Sequence, residues 1–435
     1  MNTTTKYLPG QHPRAQWMRM DAAGILKRFF FLERALVVAQ SGWLASIAPV
    51  PIKTGLPEFA WQDAETADDL RERIFELRFP SRLMEVDKDA ALVNLYQAAI
   101  HAPSAGAFLL GLQRVLKPAL RDAYRQYLTN TDAIADGPTL RFIRLAEREK
   151  TEQIEKLGIW AAELLEGDPA MAEQAERWAA GLQAALDALG GVSLEPQMPQ
   201  IAMPELPEHK PFALAQDPAR DERFNRVRFY WPDIVDPNFA YGEGINLQMR
   251  SAISHFNEVW AVETAGAILH AFADELGWDF IHDAAHWAYD EARHTQMGLN
   301  RLIHWGFDPA ELPLGDYIYQ SAHGEDPIYR LGMLFFFETK NIGHKNVRIK
   351  AFTEYNDEVS RHDMDYDWAD ETIHASYGAH WLGELLKNRP EKEVDEVRAY
   401  CGELVAKTVA TCTDQERAEI RSMAEKLLVK ASSLA

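Results

Sequence analysis

Asp290-Glu291-Ala292-Arg293-His294-Thr295-Gln296-Met297-Gly298 and Asp370-Glu371-Thr372-Ile373-His374-Ala375-Ser376-Tyr377-Gly378 spell one phrase twice: Asp-Glu-x-x-His-x-x-x-Gly. Nowhere else in the 435 residues does a Glu precede a His by three. Glu and His at that spacing share one face of a helix, and both are good ligands for iron, manganese or zinc. A single pair arises by chance in a chain of this length. Two copies, each with Asp before the Glu and Gly four after the His, predict two helices contributing to one dimetal site.

Around these motifs the spacing predicts four helices, at 246–274, 278–305, 327–357 and 361–387. Their apolar seams repeat at about 3.5 residues, as on the buried edge of a bundle helix. The first seam runs Ile253, Phe256, Trp260, Glu263, Ala267 and the second Phe280, Ala284, Trp287, Glu291, His294. The third runs Ile328, Leu331, Phe335, Glu338, Ile342, Lys345, Ile349, Phe352 and the fourth Met364, Asp367, Glu371, His374, Gly378, Trp381, Leu385. Each seam therefore carries a carboxylate near its middle. A lone ionised carboxylate in an apolar seam is costly and must be neutralised. Neither Glu263 nor Glu338 has an Arg or Lys three or four residues away on its own seam. Glu263, Glu291, Glu338 and Glu371 would thus be balanced by two divalent cations, with His294 and His374 as neutral nitrogen donors. The gaps of 28 residues (Glu263 to Glu291) and 33 residues (Glu338 to Glu371) suit antiparallel hairpins that return each ligand to one height.

Neighbouring residues acquire roles from this arrangement. A ligating His needs an acceptor at its second ring nitrogen; Asp290 and Asp370 lie one step round their helices and could reach the His of the facing helix. Gly298 and Gly378 sit one turn beyond each His, where a missing side chain either permits close helix approach or leaves a cavity beside the metals. Asp367, four residues before Glu371, is the candidate for an additional ligand; His344, six after Glu338, is a weaker one. His255, His270, His282, His286, His304, His362 and His380 read as core or surface residues. Trp260, Trp287, Phe335 and Phe336 are expected to shape a substrate pocket.

The order Glu, Asp-Glu-x-x-His, Glu, Asp-Glu-x-x-His over residues 246–387 resembles the ferritin-like di-iron carboxylate superfamily, in which two helices give one Glu each and two give Glu-x-x-His. That group includes ribonucleotide reductase radical subunits, bacterial multicomponent monooxygenases, aldehyde-deformylating oxygenases and arylamine oxygenases. The resemblance covers about a third of the chain and implies Glu263, Glu291, His294, Glu338, Glu371 and His374 as metal ligands. It stops short of a stored tyrosyl radical: the position four after the first His, commonly Tyr in radical subunits, is Gly298. Tyr289, Tyr366 and Tyr377 are near enough in sequence to be tested for such a role, although buried tyrosines more often serve the core.

The first half of the chain reads as all-helical. Helices are expected from Asp21 to about Ile47, from Pro57 to Phe79, over 87–128 with a bend at Ala102-Pro103, and over 139–166 and 169–189. This half contains a fainter echo of the second. Trp61 precedes Glu65 by four as Trp287 precedes Glu291, Asp68 stands where His294 does, and Glu33 precedes the motif as Glu263 does. Arg71 and Arg73 could pair with these acids, so residues 1–190 are expected to form a helical, metal-free domain, a degenerate ferritin-like repeat. Residues 191–245 are Pro-rich and then aromatic (RFYWPDIVDPNFAYGEG), an extended connector packed on a domain surface. The metal-binding bundle then occupies 246–390. The tail, 391–435, is expected to be one helix packed on the bundle or on a second copy in a homodimer.

A net charge of −21 argues against nucleic acid or an anionic membrane as partner. Cys401 and Cys412 form no ligand pattern, and no secretory leader or membrane-spanning run is evident; cytoplasmic location is the expectation. No phosphate loop, nucleophile elbow or cysteine zinc pattern occurs. The expected fold is all-α, a ferritin-like four-helix bundle with a helical N-terminal domain and a C-terminal helix. The expected activity is an O2-dependent oxidoreductase with two iron ions (or Mn/Fe), acting on a small organic substrate and supplied by an electron-donor protein. Peroxide detoxification, metal-dependent hydrolysis and a purely structural dimetal module stand as alternatives. Iron storage is disfavoured by the length of the chain.

Overall fold

The computed structural model describes residues 7–10, 14, 16–81, 84–195 and 202–434. Among the described residues the protein is all-α apart from β1 (Asn225–Arg226) and β2 (Pro313–Leu314), which pair in parallel. Residues 196–201 of the expected connector lie outside the described residues.

The chain divides into two compact units, one of residues 1–36 and 62–212, the other of 37–61 and 213–435. The division cuts through α1 (Arg19–Trp43) and α2 (Val50–Glu76), whereas the sequence placed its boundary near 190. The first unit continues with α3 (Ala90–Gln97), α4 (Ala105–Gly111), α5 (Lys117–Asn130), α6 (Gly137–Leu165) and α7 (Pro169–Ala188). The expected bend falls at Ala102-Pro103, and Ser104 caps α4 by accepting from the Ala107 amide at 3.2 Å.

Buried acids are the informative feature of this unit. Glu33 and Asp63 are fully buried, and so are Lys117 and Lys150. Lys150 Nζ lies 2.8 Å from Glu33 and 2.5 Å from Asp63, and Lys117 Nζ lies 2.7 Å from Asp63. Two ammonium groups thus supply the positive charge that two buried carboxylates demand. The sequence echo is misaligned here. The buried acid after Trp61 is Asp63, while Glu65 is exposed, Asp68 sits 3.8 Å from Arg71, and Arg73 binds Asp136 at 3.0 Å.

The second unit contains α8 (Ile245–Phe256), α9 (Val259–Leu276), α10 (Trp278–His304), α11 (Tyr317–Gln320), α12 (Ile328–Glu354), α13 (Glu358–Leu386), α14 (Val394–Ala410) and α15 (Asp414–Leu434). α9 packs on α10 and α12, α13 packs on α10 and α12, and α8 lies along α10. The three helices expected at 278–305, 327–357 and 361–387 form within a few residues of those bounds. The first one does not: 246–274 is broken at Asn257-Glu258. Asn257 causes the break. Its amide donates to the carbonyls of Ile253 (2.9 Å) and Pro313 (3.0 Å), and its Oδ1 accepts from the Gly315 amide at 2.7 Å. A buried side chain that satisfies three backbone groups fixes a turn where apolar periodicity alone would continue a helix.

The tail is likewise two helices. Thr413 and Glu416 cap α15 reciprocally, the Glu416 amide donating to Thr413 Oγ1 at 3.1 Å and the Thr413 amide to Glu416 Oε2 at 2.7 Å. α14 packs on α12 with Val397, Cys401 and Leu404 buried, and α15 packs on α8. Both cysteines are free. No helix among the described residues is long and apolar enough to cross a membrane.

Both motif glycines serve packing. A Cβ on Gly298 would stand 2.2 Å from the Phe256 amide nitrogen and 2.5 Å from the Ala252 carbonyl oxygen, so α10 meets the backbone of α8 there. A Cβ on Gly378 would stand 2.8 Å from Phe335 of α12. The cavity reading for these two glycines is therefore corrected: neither lines the cavity described below.

Candidate metal centre

Glu291 and His294 project from α10, Glu338 from α12, and Asp367, Glu371 and His374 from α13, all buried. Glu258, partly buried, projects from the junction that Asn257 creates between α8 and α9. These seven side chains form two groups: Glu258, His294, Asp367 and Glu371; and Glu291, Glu338 and His374. In each group one donor atom per residue lies within 4.8 Å of the others. Glu291 joins the groups, with Oε1 3.2 Å from His374 Nδ1 and Oε2 3.6 Å from His294 Nδ1.

The Nδ1 atoms face inward because the Nε2 atoms are held from outside. His294 Nε2 lies 3.1 Å from Asp370 Oδ2, and His374 Nε2 lies 3.2 Å from Asp290 Oδ2. Each Asp therefore serves the His of the facing helix, as the sequence suggested. Arg293 bonds both Asp290 and Asp370 (2.7 Å to the latter), tying the pair together. Trp287 adds a hydrogen bond from Nε1 to Glu291 Oε1 at 3.1 Å.

Glu263 is not part of the centre. It is fully buried, but Lys53 bonds it and Arg220 grips it with two hydrogen bonds of 2.5 and 3.1 Å. The charge that seemed to require a metal is met by residues 210 and 43 positions away, which no inspection of its own seam could find. Glu258 takes its place. A signal for it existed: Glu258 precedes Glu291 by 33 residues, the same interval that separates Glu338 from Glu371.

Asp367 joins the first group, with Oδ1 3.8 Å from His294 Nδ1. Its other oxygen is bonded by Lys345, which also stands 3.5 Å from Glu371, and by His255 Nε2 at 3.2 Å. His255 in turn is bonded through Nδ1 by Arg301 at 2.6 Å. Lys345, on the same seam as Glu338, and His255, expected only in the core or at the surface, thus both prove to be polar neighbours of the ligands. His344 does not join either group among the described residues.

The donor set fits a pair of cations. His294 Nδ1, His374 Nδ1, Glu258 Oε2, Asp367 Oδ1 and Glu371 Oε2 are all buried without a hydrogen-bond partner, and all belong to the two groups. Native proteins rarely leave buried polar atoms unpaired, and here five converge. The charge also balances: five carboxylates set against Lys345 leave four negative charges, the charge of two divalent ions. Without cations the balance is made by protons. Burial, then the carboxylates of Glu291 and Glu258, push Glu371 up to about 8. Burial opposes charge on His374, but its acceptors Asp290 and Glu291 outweigh it and raise the imidazole to about 9. His294 is raised in the same way by Asp370, Glu258 and Glu291.

A cavity of about 460 Å³ reaches the centre at Glu258, Glu291, Glu338 and Glu371. Its walls include Tyr230, Tyr317, Ile318, Trp260, Phe336 and Phe337. Of the four residues expected to shape a pocket, Trp260 and Phe336 do so. Trp287 stacks instead on His374 at a centroid distance of 5.4 Å, and Phe335 packs against Gly378.

Residues 194–425 match the family described as "Protein of unknown function (DUF455)". That match spans more than half of the chain, which belongs to this family. No curated protein and no solved structure matches it.

Proposed function

We propose that this DUF455 chain is a dimetal carboxylate protein with a ferritin-like bundle, and that it acts as an O2-dependent oxidoreductase on a small organic substrate. The observation that carries the proposal is the convergence of five unpartnered buried donor atoms with two imidazoles and five carboxylates. Glu258, His294, Asp367 and Glu371 would hold one ion, and Glu291, Glu338 and His374 the other. Iron, or manganese with iron, suits this oxygen-rich set with two nitrogens better than a closed structural zinc site does. The mutual packing of α9, α10, α12 and α13, each giving or flanking a ligand, is what a ferritin-like bundle requires.

A bound iron pair would supply electrons to dioxygen and coordination positions for it. The chain's own residues prepare the place. Asp290 and Asp370 keep a proton on each Nε2, which leaves each Nδ1 free to ligate. Lys345 offsets one carboxylate. The cavity admits a small molecule to four of the ligands, which favours turnover over a structural staple. Electrons would come from a donor protein.

The test is metal analysis of protein purified without chelators, followed by anaerobic loading with ferrous iron and rapid addition of O2. Two metals per chain and a transient oxidised-iron absorption are expected. Absence of stoichiometric metal would overturn the dimetal reading, and ferrous protein inert to O2 would overturn the oxidoreductase reading.

A further inference from the structure

A ladder of aromatic rings leads from the centre to the protein surface. Trp287, buried, stacks on His374 (centroids 5.4 Å apart, planes 28°) and lies 6.1 Å from Tyr377. Tyr377 lies 6.3 Å from His286, which stacks on Trp61 at 4.5 Å with planes 19° apart. Trp61 meets His282 at 4.8 Å, and His282 meets Trp278 at 6.3 Å. From Tyr377 outward every member is partly exposed. Electron transfer through protein falls off steeply with distance, and Trp and Tyr are the most readily oxidised aromatic side chains; Trp and Tyr bridged by His rings at these separations form a low-resistance route.

A hydrogen-bonded chain runs beside the rings. The Tyr377 hydroxyl lies 3.2 Å from His286 Nδ1, and His286 Nε2 lies 3.4 Å from Asp290 Oδ2, which also holds His374 Nε2. With Nε2 donating to Asp290, Nδ1 of His286 is the acceptor for the phenol. The Asp283 carboxylate is a second neighbour of the same hydroxyl and is itself held by Trp381 Nε1 at 2.9 Å. A phenol loses an electron far more easily when its proton can leave at the same moment. Tyr377 has both a ring neighbour toward the centre and a base at its hydroxyl.

We infer that Tyr377 is a redox relay, and that Trp287, Tyr377 and Trp61 carry single electrons from the surface to the dimetal centre. The inference rests on the oxidoreductase reading for its terminal oxidant, dioxygen. Oxidation of Tyr377 breaks its O–H bond: the electron passes by way of Trp287 to the centre, and the proton passes to His286 Nδ1. A one-electron reductant at the surface restores the phenol through Trp61, and the proton returns from His286. Each electron delivered is one of those that convert dioxygen, with an equal number of protons, to water.

Two measurements test this, one of them independent of metal. In metal-free protein, azide radicals generated by pulse radiolysis oxidise accessible tryptophans; decay of the tryptophan radical with growth of a tyrosyl radical is expected. Tyr377→Phe and Trp61→Phe should each lose one first-order phase of that transfer. If both variants keep every phase, the inference is overturned. In iron-loaded protein exposed to O2 without reductant, peptide mass spectrometry should find oxidised Trp61 and Trp278, and both marks should be lost in Tyr377→Phe while iron content stays that of the wild type. Ferrous iron that is oxidised with the marks unchanged overturns the relay alone. Ferrous iron that is not oxidised at all counts against the oxidoreductase reading, and the radiolysis comparison then decides the relay.

Discussion

Replacing Glu263 and Glu258 separately by Gln should produce opposite effects, because one carboxylate neutralises protein cations and the other faces the metal groups. Glu263→Gln leaves Lys53 and Arg220 without their buried counter-charge. Burial already holds Lys53 down to about 8 despite Glu263, so the lysine can shed its proton; Arg220 cannot. Breaking a buried pair of this kind costs about 3–5 kcal/mol. At about 2–4 °C per kcal/mol for a unit of this size, the melting temperature should fall by about 6–20 °C. Metal content should stay at the wild-type value, since Glu263 touches neither group. Glu258→Gln should weaken binding of one ion by at least about 10–100-fold, the loss typical even of residues behind the ligands. The melting temperature of the metal-free protein should change little, because the substitution removes both the repulsion between Glu258 and Glu371 and the attraction between Glu258 and the His294 imidazolium. Calorimetry of chelator-treated protein and metal analysis by mass spectrometry read the two effects separately. Glu263→Gln with reduced metal and an unchanged melting temperature, together with fully loaded Glu258→Gln, would refute the assignment of both residues.

Metal loading at pH 7 should release about three protons, from Glu371, His374 and His294, whose raised values keep them protonated in the metal-free protein. Apparent affinity should therefore climb from pH 7 to about 9 and weaken on acidification; titration with a pH dye in weak buffer measures it, and proton-neutral binding would contradict it. Asp370→Asn should lower metal affinity by about 10–100-fold without altering the ligand set, through loss of the acceptor at His294 Nε2. Gly298→Ala should destabilise by about 1–3 kcal/mol, because even one methyl forces α10 away from the α8 backbone; an unchanged unfolding midpoint would contradict the close approach of the two helices. Lys150→Met should cost about 3–5 kcal/mol by leaving Glu33 and Asp63 undercompensated, read as a lower denaturant midpoint of the first unit.

Local rules of helix geometry were enough for half of the centre. Apolar periodicity placed α10, α12 and α13, and the doubled Asp-Glu-x-x-His put Glu291, His294, Glu371 and His374 on helix faces whose spacing is set by the helix itself. The service of Asp290 and Asp370 to the opposite imidazole followed from the same geometry. Which remaining acid completes the set depends on contacts between distant segments. Glu263 and Glu258 both lie on apolar stretches of one apparent helix, and they differ in what faces them: Lys53 and Arg220 for the first, the open Nδ1 of His294 for the second. Long-range charge pairing is invisible to any pattern that looks three or four residues away. The break at Asn257 was hidden for the same reason, since it depends on Pro313 and Gly315 arriving from a distant segment. Periodicity reports which face of a helix is buried; it cannot report the partner that the face is buried against.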